Sequence, residues 1–313
     1  MFQGSVAAKG ARICRGQTMT GPTTRHRGLM MVTLAAILWS TAGLFVRLID
    51  LDVWTTLAWR SLFAALSLGL IVVARSGWRG FGRAIGRAGG SVGRWAGLWA
   101  VPVAVISMGS YVAALKLTTV ANVMVIYATV PFVAAGLAFL FIGERASPRI
   151  LRASAGAFVG VLVMAATQMR PPDLAGNAVA FLMTLAFGAQ LVMARRHPAL
   201  DMAPVNAIAA ALCAVGCLPF LTGVVPGPFQ MLMLALFGAT NTALAYLFFL
   251  VGGRHVPSSE AGFIGTIDVI LGPLWVWLAF GEVPGQTALI GGGIVLAAVF
   301  YYLAGGLRGR TPG

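Results

Sequence analysis

The sequence is short of charged residues, and above all of acids. Only 10% of its 313 residues are charged, and Asp and Glu together number eight, whereas a soluble domain has about 25% charged residues. Apolar residues make up 59% of the chain, and the mean hydropathy is +0.89. A soluble core has no need of so much apolar surface. The composition therefore excludes an ordinary soluble protein and predicts one that lies in a bilayer.

Cysteine and histidine are also scarce. Three cysteines cannot build a disulfide framework, and Cys213 and Cys217 are predicted to be packing residues in an apolar run. The three histidines fall in predicted tails or loops. The chain lacks the Gly-x-x-x-x-Gly-Lys-[Ser/Thr] phosphate loop and the His-Glu-x-x-His zinc motif. We therefore expect no catalytic residues, no cofactor, no metal and no direct use of ATP; a membrane enzyme of unfamiliar type is the remaining catalytic alternative.

Long apolar runs are what the sequence has in abundance. Ten of them have about the length needed to cross ~30 Å of hydrocarbon. They lack the alternation of barrel strands, so helices are predicted. The predicted spans are 29–46, 53–74, 95–115, 119–142, 150–167, 176–194, 203–225, 229–252, 261–280 and 286–304. The short connections between them predict one all-α polytopic bundle of ten transmembrane helices.

Lysine and arginine are distributed unevenly around these spans. With the amino terminus in the cytoplasm, 18 of the 22 cations fall on the cytoplasmic side, three on the other side (Arg47, Lys116 and Arg170), and Arg60 within the second span. This bias follows the positive-inside rule and predicts a multi-pass membrane protein with both termini cytoplasmic. The basic loop 74–95 resembles an RNA-binding patch, but contact with the lipid bilayer explains it without nucleic acid.

The ends of the chain are predicted to lie outside the bundle. Residues 1–27 are polar and basic and have no A-x-A cleavage site, so we expect a disordered tail rather than a secretory signal. Met19 is a candidate alternative start. Residues 305–313 form the predicted C-terminal tail.

A weak internal repeat divides the remainder into 28–167 and 168–304. A shift of 138 residues places Lys116 on Arg254 and Glu144 on Glu282. Because each unit contains five predicted spans, the second copy would enter the membrane in the opposite orientation. Inverted repeats are typical of secondary transporters, whose site lies near the midplane between the two halves.

Two five-helix units that each close their fourth helix with Gly-Glu resemble the EamA-type repeat of the drug/metabolite transporter superfamily. The resemblance rests on "LWSTAGLFVRL", "WRSLFAAL" and "YATVPFVAAGLAFLFIGERAS" in the first unit and on "IDVILGPLWVWLAFGE" in the second. It implies a ten-helix inner-membrane exporter of small metabolites. Members often have Glu-Pro where this chain has Asp268-Val269, so the acid here is one carbon shorter. A lipid-product flippase of the same superfamily is the alternative.

Neutral polar and aromatic residues on one face of several spans predict a cavity for a small molecule. The candidate substrate-binding residues are Trp39, Ser40, Ser107, Tyr111, Tyr127, Gln190, Asn241, Tyr246, Asp268 and Trp275. Each could instead bond a neighbouring helix, at about 0.6 kcal/mol on average; only their number favours a cavity. Such a lining suits amino acids or similar amphipathic solutes. The pair Gly156 and Gly160 permits close helix approach, either within a monomer or at a homodimer seam.

Asp268 is the only acid predicted to lie deep within a span. An ionised Asp near a helix centre costs roughly 2.5–3.5 kcal/mol on insertion scales. The functional hypothesis is that Asp268 binds the amino group of a substrate or a coupling proton. The structural alternative is that Asp268 bonds the backbone or Arg60. Arg60 is itself predicted to be a charge partner, to snorkel outward or to bond loop carbonyls. Pro131 and Pro273 are predicted hinges, since each frees a carbonyl four residues back.

Overall fold

The computed structural model describes residues 22–86, 91–143, 148–165, 171–197, 200–252, 255 and 258–308, and within these ranges it is helical and without strands. Glu144, one of the two acids that mark the predicted repeat, lies outside the described residues, as does Cys14. The predicted all-α fold class is confirmed for the described part of the chain.

Apart from the short helix Arg79–Gly86, which lies in the predicted loop 74–95, the helices of the first half overlap the first five predicted spans. They are α1 (Pro22–Ser40), α2 (Ala42–Leu48), α3 (Val53–Ser76), α4 (Arg79–Gly86), α5 (Ser91–Leu117), α6 (Val120–Tyr127), α7 (Val130–Ile142) and α8 (Pro148–Ala165). Helix α1 begins at Pro22, earlier than the predicted start at residue 28, because proline suits the first turn of a helix.

The helices of the second half coincide with the other five predicted spans. They are α9 (Pro171–Arg196), α10 (Met202–Cys217), α11 (Pro228–Leu236), a π-helical segment (Phe237–Leu244), α12 (Ala245–Gly252), α13 (Ser258–Phe280) and α14 (Gln286–Arg308). Helix α14 continues past residue 304, where the last repeat was predicted to end.

The described helices make the chain a multi-pass membrane protein. Six are long and apolar enough to cross a bilayer, and the pair Val120–Tyr127 and Val130–Phe141, bent by 40°, forms a seventh crossing if it is one broken span. Three shorter apolar helices lie over the remaining predicted spans: Leu151–Val163, Ile267–Phe280 and Gln286–Tyr302. The total of ten crossings therefore stays a prediction.

Glycine ends two of these helices at the Gly-Glu motifs. Gly143 follows α7 with φ 75°, and Gly281 follows α13 with φ 67°. Both values lie in the left-handed region, which glycine adopts without a steric penalty and which closes helix carboxyl termini. The glycine of the repeated Gly-Glu thus has a local cause, since it stops the helix.

Small residues bring helices α8 and α14 into contact inside the bundle. A Cβ atom on Gly160 would lie 2.6 Å from the Gly291 carbonyl oxygen, and one on Gly156 would lie 3.5 Å from Ala298. The Gly156 and Gly160 pair therefore serves packing within the monomer. Cys213 and Cys217 are buried free thiols that belong to one apolar cluster, as predicted for packing residues.

Candidate functional site

A break in the first span creates the framework of the site. The helix is interrupted at Thr41, where the Ser40 Oγ donates to the Ile37 carbonyl (2.7 Å) and the Thr41 Oγ1 donates to the Leu38 carbonyl (2.6 Å). Hydroxyls that bond backbone carbonyls in the preceding turn compete with the helical ladder and bend helices. The break therefore leaves carbonyl oxygens that can accept further donors.

Asn241 supplies such donors from the opposite half of the chain. Its Nδ2 donates to the Leu38 carbonyl at 2.8 Å and to the Trp39 carbonyl at 3.0 Å. Asn241 is 3% exposed and lies in the π-helical segment, a helix type that is rare and frequent at functional sites. A broken helix in one predicted repeat is thus held by a π-helical segment in the other.

Trp275 adds a second link between the two halves. Its indole Nε1 donates to the Ser40 Oγ at 2.9 Å, so the Ser40 hydroxyl both donates and accepts. Three of the predicted site residues, Ser40, Asn241 and Trp275, therefore meet at the break in the first span, together with the backbone of Trp39.

Arg60 lies close by on α3 and is 3% exposed. Its Nη2 donates to the Thr242 Oγ1 at 3.0 Å, and its guanidinium carbon lies 4.7 Å from the centroid of the Phe237 ring. Among the described residues, the Nε and Nη1 atoms are buried without a hydrogen-bond partner. The alternatives that Arg60 snorkels or bonds loop carbonyls are therefore wrong, because the tight contact of α3 with the π-helical segment encloses the side chain.

Gly238 makes this contact possible. A Cβ atom at Gly238 would lie 2.7 Å from the Arg60 carbonyl oxygen and 2.7 Å from the Ala64 nitrogen. Both are backbone atoms, which cannot move aside as a flexible side chain can. The two helices approach each other so closely that only glycine fits, and Arg60 is held against residues of the second half.

Asp268 is 4% exposed on α13, and its Oδ1 has no hydrogen-bond partner in the part of the chain that the structure describes. The Tyr111 phenol lies within electrostatic range of both Asp268 and Arg60, and the Tyr127 phenol lies within range of Asp268. No ion pair joins Asp268 to Arg60. The alternative that the two residues form an ion pair is therefore wrong; Tyr111 interacts with both charges.

The other predicted site residues are spread around this centre. Ser107 and Gln190 are buried, at 8% and 7% exposure. Tyr127 packs on Phe187, with ring centroids 5.7 Å apart. Tyr246 packs on an apolar cluster that includes Leu68, away from Arg60. The structure brings the central candidates together and leaves Tyr246 at the periphery.

The two prolines occupy different local settings. Pro131 lies in the first turn of α7, directly after the 40° bend between α6 and α7, whereas Pro273 lies inside the continuous helix α13. Pro131 therefore follows a break that already exists, and Pro273 removes a backbone donor within a helix.

One end of the bundle, called here the Arg47 end, is closed by polar contacts. Arg47 donates to the Glu282 carboxylate through Nε (2.9 Å) and Nη2 (3.2 Å) and to the Thr118 carbonyl (3.3 Å). Lys116 Nζ donates to the carbonyls of Ile49 (2.7 Å) and Leu51 (2.8 Å). These contacts join the ends of helices from both halves of the chain.

The space beneath the Arg47–Glu282 pair is small. A cavity of about 10 Å³ lies between Thr119, Pro273 and Glu282, which is about the space of a single water molecule. This cavity is too small to hold a solute larger than water.

A larger cavity of about 370 Å³ lies elsewhere, between α6, α7, α8 and α9. Its lining is mostly apolar and includes Phe132, Val161 and two side chains that are largely exposed, Phe158 (64%) and Phe181 (52%). The exposure of these rings places one wall on the outer, lipid-facing surface of the bundle. We call this cavity the lateral groove.

Several features of the site were not predicted from the sequence. The Arg47–Glu282 pair, the partners Phe237 and Thr242 of Arg60, and the π-helical segment all required the packed structure. One signal was available for the pair, since both residues were predicted to lie on the same side of the membrane. Across the described residues, no group of three His, Cys, Asp or Glu side chains is suited to a metal ion.

The fold and its buried charges define a polytopic α-helical membrane protein with a polar centre shared by two halves. The sequence model of the EamA-like transporter family matches residues 26–166 and again 174–304. The protein therefore belongs to the EamA-like transporter family, which confirms the predicted relation to the drug/metabolite transporter superfamily. No curated protein gives a significant match. A crystal structure described only as that of a protein shares the fold, with a TM-score of 0.59 and 18% identity over 91% of this chain and 99% of the other.

Proposed function

We propose that the protein is a secondary transporter that exports small metabolites, such as amino acids or similar amphipathic solutes, across the bacterial inner membrane by alternating access. The observation that carries the proposal is the pair of buried, unpaired ionisable groups at its centre. Arg60 and Asp268 have hydrogen-bonding capacity that no described residue satisfies. Ionisable residues inside a membrane protein are costly and typically mark pathways for ions or substrates.

The contacts around these charges support movement of one half against the other. Arg60 belongs to the first family match, and its partners Thr242 and Phe237 belong to the second. Separation of the halves would expose the guanidinium to a solute. The Arg47–Glu282 pair, which also joins the two matches, would close one side during this cycle.

The direction of the chain in the membrane follows from the distribution of cations. With both termini in the cytoplasm, the Arg47 end faces outward and the conformation described is closed to the outside. A reporter fused after Arg308 should be active only in the cytoplasm, and one inserted at Pro172 only outside. Activity of both reporters on the same side would contradict the ten-helix inverted topology.

Export is tested by overexpression of the chain followed by a screen for resistance to toxic amino-acid analogues, base analogues and cationic dyes. We expect resistance to at least one class of small solute, because efflux lowers its cytoplasmic concentration. Asp268→Asn provides the matched control, which should be made at the same level and give no resistance. Equal resistance with the variant would remove the central site from the export pathway.

The lateral groove favours a second candidate function, a lipid-product flippase. An apolar groove that opens on the lipid-facing surface could hold an acyl chain while a polar head group crosses the bundle. Val161→Trp would fill the groove, and Val159→Trp, on the exposed face of the same helix (50% exposed), is the matched control. If the protein is a flippase, a deletion strain should show a lipid-labelling defect that Val159→Trp corrects and Val161→Trp does not. That result, without solute resistance, would establish the flippase instead.

A further inference from the structure

The unpaired guanidinium of Arg60 has a consequence for what the transporter binds. Asp50, Asp52, Asp201, Asp268 and Glu282 are the acids whose side chains the structure describes. Glu282 pairs with Arg47, and Asp52 and Asp201 cap helices. None of the five forms an ion pair with Arg60 within the described part of the chain. A buried cation without a counter-charge is costly, and none of the five described acids provides one.

Arg60 has free donors that could bond an oxyanion. The N–H groups of a guanidinium lie in one plane and form charge-assisted hydrogen bonds to carboxylate oxygens. In Arg60 the Nη2 is occupied by Thr242, and the Nε and Nη1 are free. Phe237 covers one face of the guanidinium, so the plane that contains these free donors is fixed. Thr56, one helical turn away on the same face of α3, has a buried hydroxyl that also lacks a partner.

Asp268 offers the opposite charge at a different depth. Arg60 lies seven residues from the start of α3 at the Arg47 end, which is about 10 Å along the helix. Asp268 lies 12 residues from the end of α13 at the same end, or about 18 Å. The Tyr111 phenol interacts with both. The two charges therefore lie at successive depths with a hydroxyl in electrostatic range of each.

We infer that Arg60 binds the carboxylate of a zwitterionic solute, whose ammonium group faces Asp268. This assignment rests on the proposed transport function and names the substrate class of the same site. It also fixes the orientation of the solute, with its carboxylate towards the Arg47 end. Opening of the bundle between the two halves would give the solute access to the free Nε and Nη1 atoms, so that the binding energy of the carboxylate offsets the loss of contacts between the halves.

The test uses the purified full-length protein in lipid nanodiscs and isothermal titration calorimetry. Two sets of probes are used, and within each set the apolar part is the same and the charges differ. The first set is L-phenylalanine, 3-phenylpropanoate and 2-phenylethylamine. The second is L-leucine, 4-methylpentanoate and 3-methylbutylamine. We expect wild type to bind one amino acid at least tenfold more tightly than the matching amine. Arg60→Gln should weaken binding of the amino acid and the acid at least tenfold and that of the amine less than twofold.

Further variants separate a binding role from a structural one. Arg60→Lys keeps the charge without the planar guanidinium and should retain part of the preference for carboxylates. Asp268→Asn should weaken binding of the amine and leave binding of the acid unchanged. Arg75→Gln, at an exposed position on the same helix, should change none of the affinities. If Arg60→Gln does not fold, the comparison within wild type decides, because an amine that binds as tightly as its amino acid overturns the assignment.

The remaining outcomes distinguish this inference from the proposed function. Binding of inorganic phosphate that depends on Arg60, without binding of any carboxylate, would overturn the zwitterion assignment. Uptake of amines into proteoliposomes that is indifferent to carboxylates would also overturn it and leave the transporter standing. Carboxylate binding that depends on Arg60, with no movement of any solute across the membrane, would support the site and overturn the proposed function.

Discussion

Arg47 and Glu282 lie 235 residues apart in the chain and form a two-point ion pair, with Nε–Oε2 and Nη2–Oε1 distances of 2.9 and 3.2 Å. Their side chains are 27% and 28% exposed. A pair that is partly open to solvent contributes about 1 kcal/mol or less to stability. Its position, where the end of the first broken span meets the loop after α13, instead gives it the geometry of a gate.

The first prediction concerns this gate. Glu282→Gln should leave the protein folded and make the Arg47 end open more often, because the neutral amide loses the charge-assisted bonds to Arg47. In a background without native cysteines, Val276→Cys is a buried reporter beneath the pair, and its reaction with a membrane-impermeant maleimide should become several-fold faster. The exchange Arg47→Glu with Glu282→Arg should restore slow labelling. Labelling that stays slow in Glu282→Gln would show that the apolar packing alone keeps this end closed.

The second prediction concerns the prolines next to the site. Replacement of Pro131 and Pro273 by alanine should lower the transport rate more than the substrate affinity, because the bend before α7 and the missing donor within α13 no longer allow these helices to flex. Pro102→Ala is the matched control, since Pro102 also lies inside a spanning helix but is exposed. Turnover in the double variant equal to that of Pro102→Ala would argue against hinges at both positions.

The third prediction concerns Asp268. Asp268→Asn keeps the shape of the side chain and removes its charge, and since Oδ1 has no hydrogen-bond partner, we expect little loss of stability. The substitution should abolish pH-dependent export, measured as solute efflux from vesicles between pH 5 and 8. Asp201→Asn, at the exposed N-cap of α10, is the control. Normal pH-dependent export by Asp268→Asn would exclude the coupling role, and loss of folded protein would favour a structural one.

The fourth prediction concerns Asp52, the N-cap of α3. The Asp52 carboxylate accepts from the Thr55 backbone (2.9 Å) and from the Thr222 hydroxyl (3.1 Å). Burial on its own raises the pKa of Asp52, but the hydrogen bonds from Thr55 and Thr222 outweigh it and lower the pKa below its usual value. Asp52→Ala should therefore destabilise the folded protein by about 0.5–2 kcal/mol at neutral pH.

The effect of Asp52 on stability should depend on pH in a defined direction. A carboxyl whose pKa is lower in the folded state stabilises the fold above its unfolded pKa, about 3.9, and this contribution is lost as the pH falls through the folded value. Thermal unfolding of wild type and Asp52→Ala should therefore differ at pH 7 and converge at acidic pH. Asp50→Ala, two residues earlier and exposed, is the control that should not change the melting temperature.

The sequence alone predicted the helices well because the bilayer imposes a local requirement. Within hydrocarbon each backbone group must be satisfied inside its own helix, so an apolar run of sufficient length becomes a spanning helix whatever its neighbours are. The Gly-Glu motifs ended helices where expected, since the left-handed conformation at Gly143 and Gly281 is also a local property. The same motifs were enough to indicate the family.

The sequence was less informative about which side chains meet. The spans are apolar on nearly all sides, so their patterns fix neither the rotation of a helix nor the face that it turns to a neighbour. Asp268 and Arg60 illustrate this point. The charge of each residue and its depth in its span were evident from the sequence, but the sequence was equally compatible with an ion pair between them and with two separate side chains. The packed structure separates them and leaves both with free hydrogen-bonding atoms.

The features that only the tertiary structure decided are those that depend on contact between distant helices. The break at Thr41 has its carbonyls satisfied by Asn241 from a π-helical segment about 200 residues further along, and Gly238 lets that segment reach the backbone of α3. Propensity within each segment cannot specify these contacts, since each depends on a partner whose position is set by the whole bundle. The sequence by itself determined a membrane-spanning helical transporter fold, and the packing of its two halves determined where the charges of the site lie.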